Sequence, residues 1–290
     1  MKINTVLIQD TFAEAWDLEV TRLVLTGISE EVALEGAHQF VGAAGSSMLG
    51  SRINGGIERV ALPQETPDGR PGVIVSLTMP PDKREEMVQE LALRTVLATL
   101  VPTFAVFDFP VPEVRARVSA DIYGRTRGWW NGYETERVIA GHTMCVVPTT
   151  TGEFLYEKSV TISTEGTDGH IVCYADNAAS AVLGIQAAKA AIRGVDGVSP
   201  MGYGLEQVFR ELDYIPALRG RIEKTRVPEG TVSILNLLMF GATSGLMRRA
   251  MKVAIEAAAQ VPGVREIGAM NFGGEFGKHH YHLYEILAGH

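Results

Sequence analysis

Residues 56–73, GIERVALPQETPDGRPGV, set a stiff turn between two apolar runs, and this constrains the fold more than any other stretch of the chain. In Thr66-Pro67-Asp68-Gly69-Arg70-Pro71-Gly72, two prolines fix φ, and Gly69 and Gly72 are expected to supply unusual φ values. Asp68 can bond its own backbone. A turn of this kind joins neighbouring strands, here residues 57–62 and 73–79. It also holds two opposite charges, Asp68 and Arg70, in fixed places. Either this is a well-made surface turn, or the charges recognise a polar ligand.

The elements around this hairpin follow a defined order. Residues 19–26, β-branched and apolar, predict a strand. Ser29 is placed to cap a helix with Glu30 and Glu31 in its first turn, where the helix dipole favours anions. Glycines at 42 and 45 end it. After Pro80-Pro81, Asp82 with Glu85 reads as a capping box. The helix it opens sets Met87, Val88, Leu91 and Ala92 on one face. Residues 103–107 close the unit as a strand. The β-α-β-β-α-β order is that of the split, ferredoxin-like motif. The second half partly repeats it. Residues 171–175 predict a strand, Asn177 caps an Ala-rich helix to about Arg193, and 231–240 form an apolar strand. Thr243 opens a helix with Met247, Ala250, Met251, Ala254 and Ala258 on one face. Residues 264–270 and 280–287 read as closing strands, and 205–212 as a short helix. The expected fold is therefore α+β, with two ferredoxin-like lobes over residues 1–150 and 151–290. Residues 113–150, with Asn131-Gly132 as a type I′ turn, read as a β-hairpin excursion joining the lobes or packing on another subunit.

Composition removes several functions. A net charge of −8 disfavours nucleic-acid binding. No apolar run reaches the ~18–20 residues needed to cross a bilayer, and the N-terminal residues carry acids where a signal peptide stays apolar, so a cytoplasmic protein is expected. Cys145 and Cys173 stand far apart and read as buried strand residues in a reducing compartment. The sequence has no phosphate loop, no dinucleotide-binding glycine motif, no HExxH and no GxSxG. Of His279, His280 and His282, only the last two would share a strand face, and two ligands without an acidic third make a poor zinc site. No metal is expected.

Several motifs carry a resemblance. Asp10-Thr11-Phe12-Ala13-Glu14-Ala15-Trp16, the Pro-Asp-Gly-Arg turn, Val101-Pro102-Thr103-Phe104-Ala105-Val106-Phe107, Gly152-Glu153-Phe154-Leu155 and Asn271-Phe272-Gly273-Gly274-Glu275-Phe276-Gly277-Lys278 occur in this order. Together they resemble formylmethanofuran:tetrahydromethanopterin formyltransferase over nearly the whole chain. The resemblance implies transfer of a formyl group between a methanofuran-type amine and a ring nitrogen of a tetrahydromethanopterin-type coenzyme. Both coenzymes would be substrates and none a tightly bound cofactor. It implies one-carbon metabolism, as in methanogenesis or methylotrophy, a homodimer or homotetramer, and hydrolase or dehydrogenase subunits as partners. Candidate contact faces are the 113–150 segment and the helix around Met247 and Met251.

Such a reaction passes through a tetrahedral oxyanion and needs aligned substrates, donors to the oxyanion and a proton shuttle. Gly273 and Gly274, lacking Cβ, can offer backbone N–H groups at close approach, unless they form a plain loop. Asn271 can donate to the formyl oxygen. Arg70 and Lys278 can bind substrate carboxylates, with Thr66, Asp68 and Gly69 shaping the turn; the alternative for each charge is solvation at the surface. Glu58 is a candidate acid, unless it pairs with Arg59 or Arg70. Trp129 and Trp130 either stack on a coenzyme ring or meet another subunit. The pocket is expected to draw on both the turn and the glycine pair.

The sequence also departs from the family. The resemblance implies a buried carboxylate on a C-terminal-lobe strand, but Ser233-Ile234-Leu235-Asn236-Leu237-Leu238-Met239 has none, and Asn236 is its counterpart. An amide orients or donates but shuttles no proton. Residues 199–226 lack the family's Gly/Ser/Lys-rich segment, with Met201-Gly202-Tyr203-Gly204 the nearest remnant. The chain thus reads as a divergent member. A non-catalytic pterin- or partner-binding paralogue, or a related acyl-amine transferase or hydrolase, stand as alternatives.

Overall fold

A computed structural model describes residues 1–45, 47, 50–201 and 212–289. The chain divides into two compact units, residues 18–166 and residues 1–17 with 167–290. The boundary expected at 150/151 therefore lies later, and the first residues join the second unit.

In the unit of residues 18–166, strand Asp17–Thr26 lies between Gly72–Met79 and Ala105–Asp108, with Asn54–Ala61 outside Gly72–Met79, all antiparallel. The first strand thus sits beside the third and fourth, as the ferredoxin-like order requires. Helices Glu30–Val41 and Arg84–Leu97 supply the two crossovers. Ser29 accepts the Val32 amide as its cap, and Gly42 ends the helix at φ +48°. Gly36 lets that helix meet the Phe104 ring, which a Cβ there would approach within 2.1 Å. The predicted capping box is not formed. Pro80-Pro81 starts a 3-10 turn, Pro81–Lys83, that delays the second helix to Arg84. Leu23, Leu25, Phe40, Val75, Leu77, Leu91 and Phe104 form the core beneath the helices.

Residues 113–150 are not an excursion. Strand Gly152–Glu157 pairs in parallel with Ala105–Asp108, then His142–Thr149 and Thr135–Ile139 continue the same sheet. The hairpin turn is Ala140-Gly141, at φ +48° and +90°, and not Asn131-Gly132, where the Asn131 side chain instead accepts the Tyr133 amide at 3.1 Å. Trp130 packs on Phe154 and Tyr156 and donates to the Tyr156 hydroxyl at 2.8 Å; Trp129 stays exposed.

The other unit repeats the order. Strand Ser159–Ala175, through residues 167–175, is flanked by Ser233–Gly241 and Val264–Gly268, with Val198–Pro200 outside Ser233–Gly241, all antiparallel. Helices Ala178–Ile192 and Ser244–Ala258 begin on the predicted caps Asn177 and Thr243. Met247 and Met251 are buried between their own helix and this sheet, so they offer no contact face. The N-terminal strand Val6–Ile8 adds in parallel to Val264–Gly268. Strand Phe12–Ala15 pairs with His279–His282, and helix Leu283–Ala288 replaces the strand expected to run on to residue 287. The helix expected at 205–212 lies outside the described residues except Leu212, which begins a 3-10 turn, and Gly202, Tyr203 and Gly204 also lie outside them.

Candidate active site

Glu14 sits opposite His280 in the two-stranded ladder and is fully buried, its carboxylate inside the loop that leads to that ladder. Its Oε2 accepts the amides of Phe272 and Gly274 at 2.7 and 3.0 Å, and its Oε1 those of Phe276 and Gly277 at 2.7 and 2.6 Å. Burial works against the charge, but the four N–H donors outweigh it and bring the pKa down to about 2. Gly273 and Gly274, both near φ +80°, curl the loop so that its amides converge. Gly277 is needed for closeness: a Cβ there would lie 2.6 Å from the Ala15 carbonyl.

This overturns the expectation for the glycine pair. The Gly274 amide is held by Glu14 and the Gly273 amide by the Asn271 side chain at 3.2 Å. Asn271 in turn donates to the Thr11 hydroxyl and the Phe12 carbonyl at 3.1 and 3.3 Å. All three therefore fasten the first and last motifs together. Lys278 pairs with Asp17, which also takes His279 at 2.8 Å. His280 and His282 lie against the Phe12 ring. Among the described residues, no group of three or more His, Cys, Asp or Glu could hold a metal.

The adjoining sheet presents chemistry that the sequence reading missed. Asp168, His170 and Val172 lie opposite Phe240, Leu238 and Asn236. Alternation puts all six on one face, because directly opposed residues share a face. Gly169 points the other way, into Met247 and Met251 of helix Ser244–Ala258. Asp168, His170 and Asn236 are thus on the face without that helix. Asp168 Oδ1 accepts the Trp16 amide at 2.6 Å. Burial raises its pKa to about 7, against the opposing effect of that hydrogen bond. His170 is buried and its pKa is lowered by burial to about 4, so the ring is neutral. The Met270 amide donates to its Nε2 at 2.9 Å. Asn236 reaches the Met270 sulfur at 3.8 Å through its Nδ2, while its Oδ1 is buried with no hydrogen-bond partner. The available signal was two titratable residues two apart, Asp168 and His170, directly before the apolar run at residues 171–175.

The remaining expected residues belong to the unit of residues 18–166. There the Pro-Asp-Gly-Arg turn closes on itself. Arg70 donates Nε to Asp68 at 2.8 Å, Nη2 to the Thr26 hydroxyl at 3.0 Å and Nη1 to the Thr103 carbonyl. The Thr26 hydroxyl donates to Asp68 at 2.7 Å, and the Thr66 hydroxyl lies 2.8 Å from the Arg70 carbonyl. Gly69 takes φ +71°, as predicted. Gly72 does not have positive φ; it begins a strand, and a Cβ would press on Thr66 and Val24 at 2.9 and 3.0 Å. Glu58 is brought to none of these. It is buried with Arg22, at 2.9 Å, and accepts the Ser76 hydroxyl at 2.6 Å, whereas Arg59 pairs with Glu65.

The family model for formylmethanofuran-tetrahydromethanopterin formyltransferase matches residues 1–149, and that for its proximal lobe matches residues 210–286. The formyltransferases of that name from Methanothermus fervidus and Methanothermobacter thermautotrophicus are each 32% identical, with 99% of this chain and all of each relative aligned. The solved Methanosarcina barkeri formyltransferase superposes with a TM-score of 0.89 at 31% identity, covering 99% of this chain and 100% of that one. A chain of the formyltransferase/hydrolase complex from Methylorubrum extorquens, solved with methylofuran, gives 0.81 at 25% identity, covering 99% and 98%.

Proposed function

The chain belongs to the formylmethanofuran–tetrahydromethanopterin formyltransferase family, and we propose that it moves a formyl group between a methanofuran-type amine and a tetrahydromethanopterin-type coenzyme, with Asp168 as the proton shuttle. The attacking nitrogen forms a bond to the formyl carbon, and the carbonyl π electrons move to oxygen. The attacking nitrogen then gives its proton to Asp168. Asp168 protonates the departing nitrogen, its bond to carbon breaks, and the carbonyl reforms. One carboxyl that both accepts and donates works best with a pKa near the working pH.

The observation that carries this reading is the position of Asp168 at about 7 on the same sheet face as the unpartnered Oδ1 of Asn236. By register that oxygen lies four residues along the strand from Asp168, so it accepts a hydrogen bond from a part of the substrate away from the reacting nitrogen. The Asn236 Nδ2, held only by a weak sulfur acceptor, is available to the same part of the substrate. No step calls on a metal. The reading includes a homodimer or homotetramer in the cytoplasm, with hydrolase subunits as partners, as in the related Methylorubrum complex.

The test is direct. Purified protein with formylmethanofuran and tetrahydromethanopterin should produce formylated pterin, followed by absorbance. Asp168→Asn should lower kcat about 100- to 10,000-fold, the range for removing a positioned acid–base group. An unchanged rate in that variant removes Asp168 from the mechanism, and a wild type without turnover removes the function.

A further inference from the structure

We propose that Trp16, Phe272 and Phe276 form the platform on which the fused bicyclic ring of the pterin-type acceptor lies during transfer. This rests on the formyl-transfer reading above and names the residues that choose one of its substrates.

Three large aromatic side chains are exposed at one place, by 38%, 47% and 68% respectively. Contiguous exposed aromatic surface of this kind marks a binding site more often than it is accidental. Trp16 meets Phe272 at 6.2 Å between ring centroids and 61°, and Phe272 meets Phe276 at 6.0 Å and 86°. An edge-to-face contact uses the edge of one ring and one face of the other, so each ring keeps a face open for a stacked partner.

The platform is also fixed in place. The amides of Phe272 and Phe276 are both tied to the Glu14 carboxylate at 2.7 Å. The Trp16 amide is tied to Asp168 at 2.6 Å. Backbone already ordered before binding loses little entropy when a ligand arrives. The same bond anchors the Trp16 backbone at the carboxyl that handles the proton, so a ring stacked on the indole lies within a residue's reach of that carboxyl. With the rings inclined at 61° and 86°, a fused bicycle can stack on one of them and meet the next about 6 Å away, a span that a single furan ring does not cover.

The experiment measures KM for each coenzyme separately in wild type, Trp16→Ala, Phe272→Ala and Trp16→Phe, with light scattering on every variant. Trp16→Ala and Phe272→Ala should raise KM for tetrahydromethanopterin at least tenfold and leave that for formylmethanofuran within twofold. Trp16→Phe should restore most of the loss. Titration with tetrahydromethanopterin alone should quench indole fluorescence in wild type and lose most of that quench in Trp16→Phe, where Trp129 and Trp130 remain. Equal changes in both KM values overturn the platform. So does an unchanged pterin KM in a variant that has changed its oligomeric state, which would make the patch a subunit contact. The quench titration needs no turnover, so the platform can fail or stand independently of the transfer assay.

Discussion

Asn236 illustrates how a residue can serve a site at the expense of the fold. A buried carbonyl oxygen without a partner costs stability, and the Asn236 side chain has one. Asn236→Leu removes the orphan at similar volume, so chemical denaturation should show the variant more stable, by about 1–3 kcal/mol. The same variant should transfer formyl groups at least tenfold more slowly, because the bound substrate loses an acceptor that positions it. A variant that is less stable, or equally active, would show that the oxygen is not kept for substrate. Asp168 makes a second prediction at this scale. With its pKa near 7, the step in which it takes a proton gains as pH rises through 7, and the step in which it gives one loses. The pH–kcat profile should therefore bend near 7 in wild type, and Asp168→Asn should lack that bend.

The loop at residues 272–277 behaves as one element, with four of its amides gathered on the Glu14 carboxylate. Glu14→Gln keeps the shape but offers one acceptor oxygen where the carboxylate offers two, leaving two of the four amides badly paired. With each unsatisfied donor costing about 1–3 kcal/mol, a loss of several kcal/mol is expected in denaturant melts. Gly277→Ala should weaken the same element from the other side, since its Cβ meets backbone that cannot step aside. Both variants should lose transfer activity together with loop protection in hydrogen exchange at residues 272–277. The strands and helices of each unit were legible in the sequence because caps, periodicity and turn residues are local signals. Ser29, Asn177 and Thr243 all cap where expected. Local signals also account for the errors. Asn131-Gly132 has the composition of a hairpin turn, yet Ala140-Gly141 makes it, because strand register fixed the turn and Ala140 accepted a left-handed φ. The site was far less legible. Glu14 bonds amides some 260 positions away in sequence, and Asp168 and Asn236 come to one sheet face only through a strand register that composition does not reveal. The charges that did stand out, Asp68 and Arg70, are used on each other.

At the scale of the whole molecule, the unusual titrating groups act on stability in opposing directions. Glu14 ionises at about 2 in the folded protein against 4.5 ordinarily, so its contribution is present above 4.5 and lost as pH falls towards 2. His170, at about 4 against 6.5, stays neutral when folded; between those values the unfolded chain binds the extra proton, and stability falls with falling pH. Asp168 does the reverse. Between 3.8 and about 7 the folded protein holds a proton that the unfolded chain has released, so acidification favours the folded state across that window. Over the interval from about 4 to 6.5 the His170 and Asp168 effects offset each other, one proton against one. Asp168→Asn breaks the balance. The difference in denaturation midpoint between wild type and Asp168→Asn should move in favour of wild type as pH is lowered from 7 to 4, and then level off. A difference independent of pH would mean that Asp168 ionises in the folded protein as it does in water, and would remove it as a shuttle by a measurement that involves no substrate.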